Sequence, residues 1–272
     1  MPDRLIITAD DFGASLQVND AVERAHREGV LTAASLMVAA PAAADAVARA
    51  RGMPRLGVGL HLVLVEGRPA LPPQALPHLV DSAGHFHTDM VRAGATMFFN
   101  PAARRELAAE ITAQFQAFAD TGLPLDHVNA HKHFHLHPTI AGLILKIGRR
   151  FGMPMARFPL EPRGVLARVE PGGRYPPAPV VDLWAAMARA RFRRAGIRAP
   201  DHVFGLAWSG AMITPRLRGI IDHLPTGLNE IYLHPATDGD WPGAAPGYDY
   251  AGELAALTAP EVRAAVAARS RP

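Results

Sequence analysis

Cysteine is absent from all 272 residues. That excludes disulfides, thiolate nucleophiles, iron–sulfur clusters and cysteine zinc sites, so any metal must be held by histidine and carboxylate. Lysine is nearly absent too: Lys132 and Lys146 are the only two among 28 basic residues, the rest being arginine. The net charge of +3 is too small to mark a nucleic-acid binder. No uncharged apolar stretch reaches the roughly 18 residues of a membrane span. The opening MPDRLIITADD has an apolar run of strand length followed by two acids, unlike the longer apolar core and cleavage site of a signal peptide. A cytoplasmic location is therefore expected. Hydrophobic residues make up 49% of the chain and recur from end to end, while charged residues make up 19%, which describes a globular protein rather than a disordered one.

Apolar runs of two kinds alternate along the chain. Leu5–Thr8 reads as a buried strand that stops at Ala9-Asp10-Asp11-Phe12-Gly13. A helix follows, with Ser15 as its cap, Val18, Ala21, Val22 and Ala25 at helical spacing, and Gly29 at its end. Leu31–Val38 reads as strand, Pro41–Arg51 as helix, Gly57–Leu64 as strand and Pro101–Asp120 as a long helix. Leu125–His131 is a strand, Pro138–Phe151 a helix, and Asn229–His234 a strand. Such alternation implies parallel βα units, in an open doubly wound sheet or a closed barrel. The barrel is favoured because no Gly-x-Gly-x-x-Gly follows the first strand and the polar residues of interest sit near the ends of at least four strands. Residues 65–100 and 159–180 break the alternation with proline- and glycine-rich sequence and read as long rim loops, the second insertion extending to about residue 212. No repeat or linker divides the chain, so a single domain over 1–272 is expected.

The chemistry-bearing residues gather at strand ends. Asp10 and Asp11 are adjacent, and on an extended backbone their carboxylates point in opposite directions, one free to hold a metal while the other reaches a different atom. His61 lies inside GVGLHLVL, where a hydrogen-bonded core histidine is the competing reading. Five histidines, His127, His131, His133, His135 and His137, occupy odd positions in eleven residues. If the strand ends near His131, only one or two of them reach a common centre, and the others line the pocket or cap the next helix. Glu230, Tyr232 and His234 share one face of the last strand by alternation, with His234 at its end as a fourth ligand or an acid. One aspartate and two histidines without thiolate suit a divalent ion such as Zn²⁺ or Mg²⁺ with open water positions, and a free carboxylate beside it makes hydrolysis the natural chemistry.

The motifs ITADDFG (7–13), GLHL around His61, HVNAHKHFHLHP (127–138), Arg157 after the next helix, and EIYLHPA (230–236) resemble the YdjC/ChbG family of carbohydrate deacetylases. ARFPLEPRG, DHVFGLAWSGAM (201–212) and NEIYLHPAT resemble its hopanoid-biosynthesis-associated branch in particular. The resemblance implies a distorted (β/α) TIM-like barrel and removal of an acetyl group from an acetamido sugar with one divalent metal, Mg²⁺ or Zn²⁺. It implies that Asp11, His61 and His131 bind the metal, that Asp10 is the general base and His234 the acid, and that Arg157, His133, His135, Glu230 and Trp208 face substrate. Where the family carries three consecutive histidines this chain has His131-Lys132-His133, which places a cation at the pocket wall. The branch implies an N-acetylglucosaminyl hopanoid as substrate, the wider family a chito-oligosaccharide. A lipid-linked sugar needs an apolar approach and contact at the inner face of the membrane. Leu183, Trp184, Met187, Phe192 and Phe204–Trp208 are candidates, beside Arg189, Arg191, Arg193, Arg194 and Arg198, and core packing is the competing reading. A phosphoesterase is disfavoured by the lack of a P-loop and of carboxylates for a second metal, and a non-catalytic sugar- or metal-binding protein has no need of Asp10 beside Asp11. The sequence leaves the native metal and the oligomeric state open, a homodimer included.

Overall fold

The β-branched run near the N-terminus forms β1 (Arg4–Phe12), three residues after which Ser15 accepts from Val18 N at 3.2 Å and starts α1 (Leu16–Glu28). The computed structural model describes residues 4–175 and 178–269. The first three residues of the opening segment and Pro176 and Pro177 of the second proposed rim loop lie outside the described residues. β2 (Ala33–Leu36), α2 (Ala43–Arg51) and β3 (Gly57–Leu62) follow. α2 begins two residues after Pro41 rather than on it. α4 (Pro101–Asp120) leads to β4 (Val128–Ala130), which is shorter than the expected Leu125–His131. It ends there because Lys132 and His133 take left-handed backbone angles (φ 54° at both), which no strand continues through. α5 (Pro138–Gly148), β5 (His202–Phe204), α8 (Thr214–Asp222), β6 (Leu228–Leu233), α9 (Tyr250–Thr258) and α10 (Pro260–Arg269) complete the alternation.

All neighbouring strands pair in parallel, in the order β4-β3-β2-β1-β6-β5, which gives a six-stranded curled half-barrel. The edges β4 and β5 are bridged by the stretch around Arg157. Val128 N donates to Met155 O (2.9 Å), Arg157 N to Val128 O (3.1 Å), Ala156 N to Arg198 O (3.0 Å) and Val203 N to Leu160 O (3.2 Å). One hydrophobic cluster runs through the helices and the outward-facing strand residues such as Ile7, Ala9, Leu60 and Ile231.

The two segments expected to be long loops are partly helical. Residues 65–100 contain a 3₁₀ turn (Pro73–Ala75), a Val80–Phe86 bridge and α3 (Met90–Phe99), capped by Asp89 through Arg92 N. Residues 159–212 contain α6 (Arg163–Val169), α7 (Pro179–Arg194) and β5. Proline content hid these helices because proline is tolerated at or before a helix's first turn, as Pro179 shows at the start of α7.

Candidate active site

β1 carries its two carboxylates to one place. Its register slips between Ala9 and Phe12, and Asp11 has φ 63°, so the extended-strand geometry that would separate adjacent side chains is broken. Asp10 and Asp11 both line one cavity of about 390 Å³, together with His61, His131, His133 and His234. The expectation of opposed carboxylates is thereby corrected. Tyr232, Lys132 and Glu66 complete much of the wall, and the two segments between strands add Met90, Leu206 and Ser209.

Asp10 is anchored from below. Arg157 is buried (1% exposed) and donates from Nη2 to Asp10 Oδ1 (2.9 Å) and from Nη1 to Oδ2. The same guanidinium donates from Nε (3.0 Å) and Nη2 (2.8 Å) to Glu230 Oε1, which also accepts from Thr8 Oγ1 (2.9 Å). Burial by itself would raise the Asp10 pKa, but the charge of Arg157, with those of His61 and His234, outweighs it and holds the carboxyl well below its ordinary range. The Arg157 pKa is raised: burial opposes the charged form, and the carboxylates of Asp10 and Glu230 overcome that.

Asp11, His61 and His131 offer ligand atoms that all lie within 4.8 Å of one another. His131 Nδ1 and His61 Nε2 are each 3.3 Å from Asp11 Oδ1. Burial pushes the Asp11 pKa up, yet the two imidazoles bring it well below normal. The groups bonded to these donors test whether a cation fits. Asn129 Nδ2 donates to Asp10 Oδ1 (3.0 Å) and Ser35 Oγ (2.8 Å), which turns its Oδ1 toward His61 Nδ1 at 2.7 Å. That oxygen can only accept, so His61 Nδ1 carries a proton and Nε2 is the ring atom turned toward Asp11. Nε2 is buried without a hydrogen bond and faces a carboxylate. In its neutral form the ring offers that nitrogen's lone pair beside the Asp11 carboxylate and the His131 ring, so the donor set fits a divalent ion.

The histidine-rich segment divides as its turn dictates. His131 reaches Asp11, and His133 Nε2 contacts Tyr232 Oη at 2.8 Å. Burial depresses the His133 pKa strongly, with the charges of His135 and Arg157 adding to it, and the Tyr232 hydroxyl is pushed well above 10 by burial. His135 Nε2 lies 2.8 Å from Arg157 O, its pKa lowered to about 4 chiefly by burial. His127 bonds Ser35 and Asp126, and His137 packs against Phe98 and Phe134. His234 lines the cavity beside Tyr232 and Tyr248, with its Nδ1 buried and unpartnered, and is not one of the three clustered donors. Of the residues expected to face substrate, only His133 lines this cavity. Arg157, His135 and Glu230 lie behind its wall, and Trp208 is buried between Tyr175 and the Arg216 guanidinium. Sequence reading missed Asn129 and Ser35, although Asn129 sits two residues from His131 on the inward face of β4.

In this parallel α/β half-barrel a carboxylate locked by arginine thus lies beside an Asp-His-His cluster at the C-terminal ends of the strands. The chain belongs to the YdjC-like protein family, whose model matches residues 4–268. It is 41% identical over 156 residues to the carbohydrate deacetylase of Brevibacillus brevis, covering 57% of this chain and 59% of that one. It is 37% identical over 155 residues to the carbohydrate deacetylase of Geobacillus stearothermophilus (57% and 60%), and 36% over 172 residues to that of Vibrio vulnificus strain CMCP6 (63% and 64%). The chain thus matches about six tenths of the length of these curated relatives. A crystal structure from Enterococcus faecalis V583, of a protein provisionally described as a cellobiose-phosphate cleavage protein, superposes with a TM-score of 0.77 at 26% identity over 99% of this chain and 95% of the other.

Proposed function

We propose that this protein is a metal-dependent carbohydrate N-deacetylase that takes the acetyl group from an N-acetylglucosaminyl hopanoid, on a sheet best read as a distorted TIM-like barrel. The observation that carries the reading is Asn129, which bonds the carboxylate of Asp10 and orients His61 toward Asp11 at once. The named activity of the three relatives supports the reaction class. The branch motifs of the sequence support the lipid-linked sugar.

A divalent ion held by Asp11, His61 and His131 would polarise the acetamide carbonyl and acidify water. Asp10 accepts the proton of the attacking water. The Arg157 guanidinium keeps Asp10 ionised and therefore able to accept that proton. Arg157 and Asn129 hold Asp10 in place. His234, on the same cavity wall, delivers a proton to the departing amine nitrogen. One water is consumed, the C–N bond breaks, and acetate and a free amino sugar leave.

A second reading, deacetylation of a chito-oligosaccharide, is favoured by another observation. A hollow of about 540 Å³ shares Asp11, Glu66 and His131 with the first and is lined by Trp241 and Arg68, a setting suited to a further sugar ring. Acetate release from an N-acetylglucosaminyl hopanoid and from diacetylchitobiose, each with and without added metal, tests both. Metal-dependent release from the glycolipid in preference to the disaccharide is expected. The opposite preference returns the substrate to the oligosaccharide, and no release from either removes the deacetylase reading.

A further inference from the structure

Among the described residues ten large apolar side chains stand exposed, and eight of them belong to two helices, three to α3 and five to α7. Phe99 is 76% exposed, Met187 61% and Trp184 47%. The two helices form the walls of an open groove of about 1060 Å³, floored by Phe134, Pro138 and Ala141. A contiguous apolar surface of this kind marks a contact site on a protein otherwise covered by polar residues. Along α7 the stripe runs through Leu183, Trp184 and Met187 and continues, at the same helical spacing, into Arg191 and Arg194. Both arginines are exposed, and neither has an acidic partner among the described residues. Among the described residues no acidic side chain lines the groove.

We propose that the α3–α7 face docks on an anionic lipid bilayer, with Phe99, Trp184 and Met187 in the acyl boundary and Arg191 and Arg194 on headgroup phosphates. Aromatic side chains beside unpaired guanidinium groups are the chemistry of an interfacial helix. A second copy of this chain is the poorer occupant. A two-fold contact through this face sets two unpaired arginine pairs against a groove that offers no carboxylate. Met90 lines both this groove and the candidate active-site cavity, so docking brings the cavity mouth beside the lipid surface. The docking itself does not depend on the proposed reaction.

Flotation of the whole protein with vesicles tests it. Binding is expected to phosphatidylcholine vesicles containing about one third phosphatidylglycerol, weaker binding to phosphatidylcholine alone, and loss of that difference at high salt. Phe99→Ser with Trp184→Ser should lower the partition coefficient at least about tenfold on both vesicles. Arg191→Gln with Arg194→Gln should lower it on the anionic vesicles only, and neither pair should alter acetate release from a soluble N-acetyl sugar. Absence of flotation, or flotation indifferent to both pairs, overturns the proposal. So does a lipid-free dimer in sedimentation that Trp184→Ser dissolves, which would assign the face to a second copy. Intact flotation without any acetate release would leave docking standing and remove the deacetylase reading instead.

Discussion

Asp10 and Asn129 each bond three neighbours, and their variants separate roles that the wild type combines. Asp10→Asn preserves shape and leaves Glu230 to pair Arg157, so the protein should fold and keep its metal while turnover falls by about 10²–10⁴-fold. Metal content by elemental analysis and acetate release check this together, and near wild-type turnover would place the base elsewhere. Asn129→Ala removes the acceptor that sets the His61 tautomer. Metal affinity should then weaken by about 10–100-fold, read by competition with a chromogenic chelator. Unchanged affinity would show that the Asn129 bond does not set His61 for metal binding. The position is visible in the sequence only as an asparagine in a strand, because its partners come from β1, β2 and β3.

At the scale of elements, the turn after β4 decides which histidine reaches the site. Lys132 and His133 both sit in the left-handed region, which costs a side chain with a Cβ about 1–2 kcal/mol per residue. Lys132→Gly relieves that cost and should stabilise the fold by about 1 kcal/mol while retaining metal, whereas Lys132→Val should destabilise it by a similar amount. Denaturant midpoints of the two variants test the sign. A stabilising Val would mean that the turn is not left-handed in solution. The odd-numbered spacing of the histidines is legible in the sequence, but a two-residue left-handed turn in Lys-His has no local signature, since glycine is the residue that usually announces it. Likewise α3 and α7 were hidden in segments whose prolines and glycines read as loop, although Asp89 and Pro179 are ordinary helix starters.

For the whole molecule, the interior of the half-barrel is a polar layer fitted between strands with almost no spare room. A Cβ at Gly59 would lie 2.5 Å from ring atoms of His127, which in turn bonds Ser35 beneath Asp10. Gly59→Ala should therefore destabilise the protein by about 1–3 kcal/mol. It should also lower turnover among molecules that remain folded, as measured by denaturant unfolding alongside acetate release normalised to folded protein. A neutral effect on both would show that the His127 ring has room to move. The buried Arg157 pairs matter at the same scale: removing one partner of such a pair typically costs about 3–5 kcal/mol because it strands a charge. Arg157 holds together Asp10 on β1 and Glu230 on β6 from a segment that is itself held between the sheet's edges β4 and β5.

What the sequence determined by itself was local. Period-two alternation set Glu230, Tyr232 and His234 on one face. The order of strands and helices announced a parallel α/β sheet. Tertiary structure decided the partnerships. Thr8 meets Glu230 across 222 residues and Arg157 meets Asp10 across 147, because β1 lies between β2 and β6 in the sheet. The bulge at Asp11 turned two adjacent carboxylates into one cavity, and the packing of α3 beside α7 gathered apolar side chains from segments far apart in the chain. Alternation along a strand follows from covalent geometry and can be read residue by residue. Which strand lies beside which is settled only when the whole core is buried.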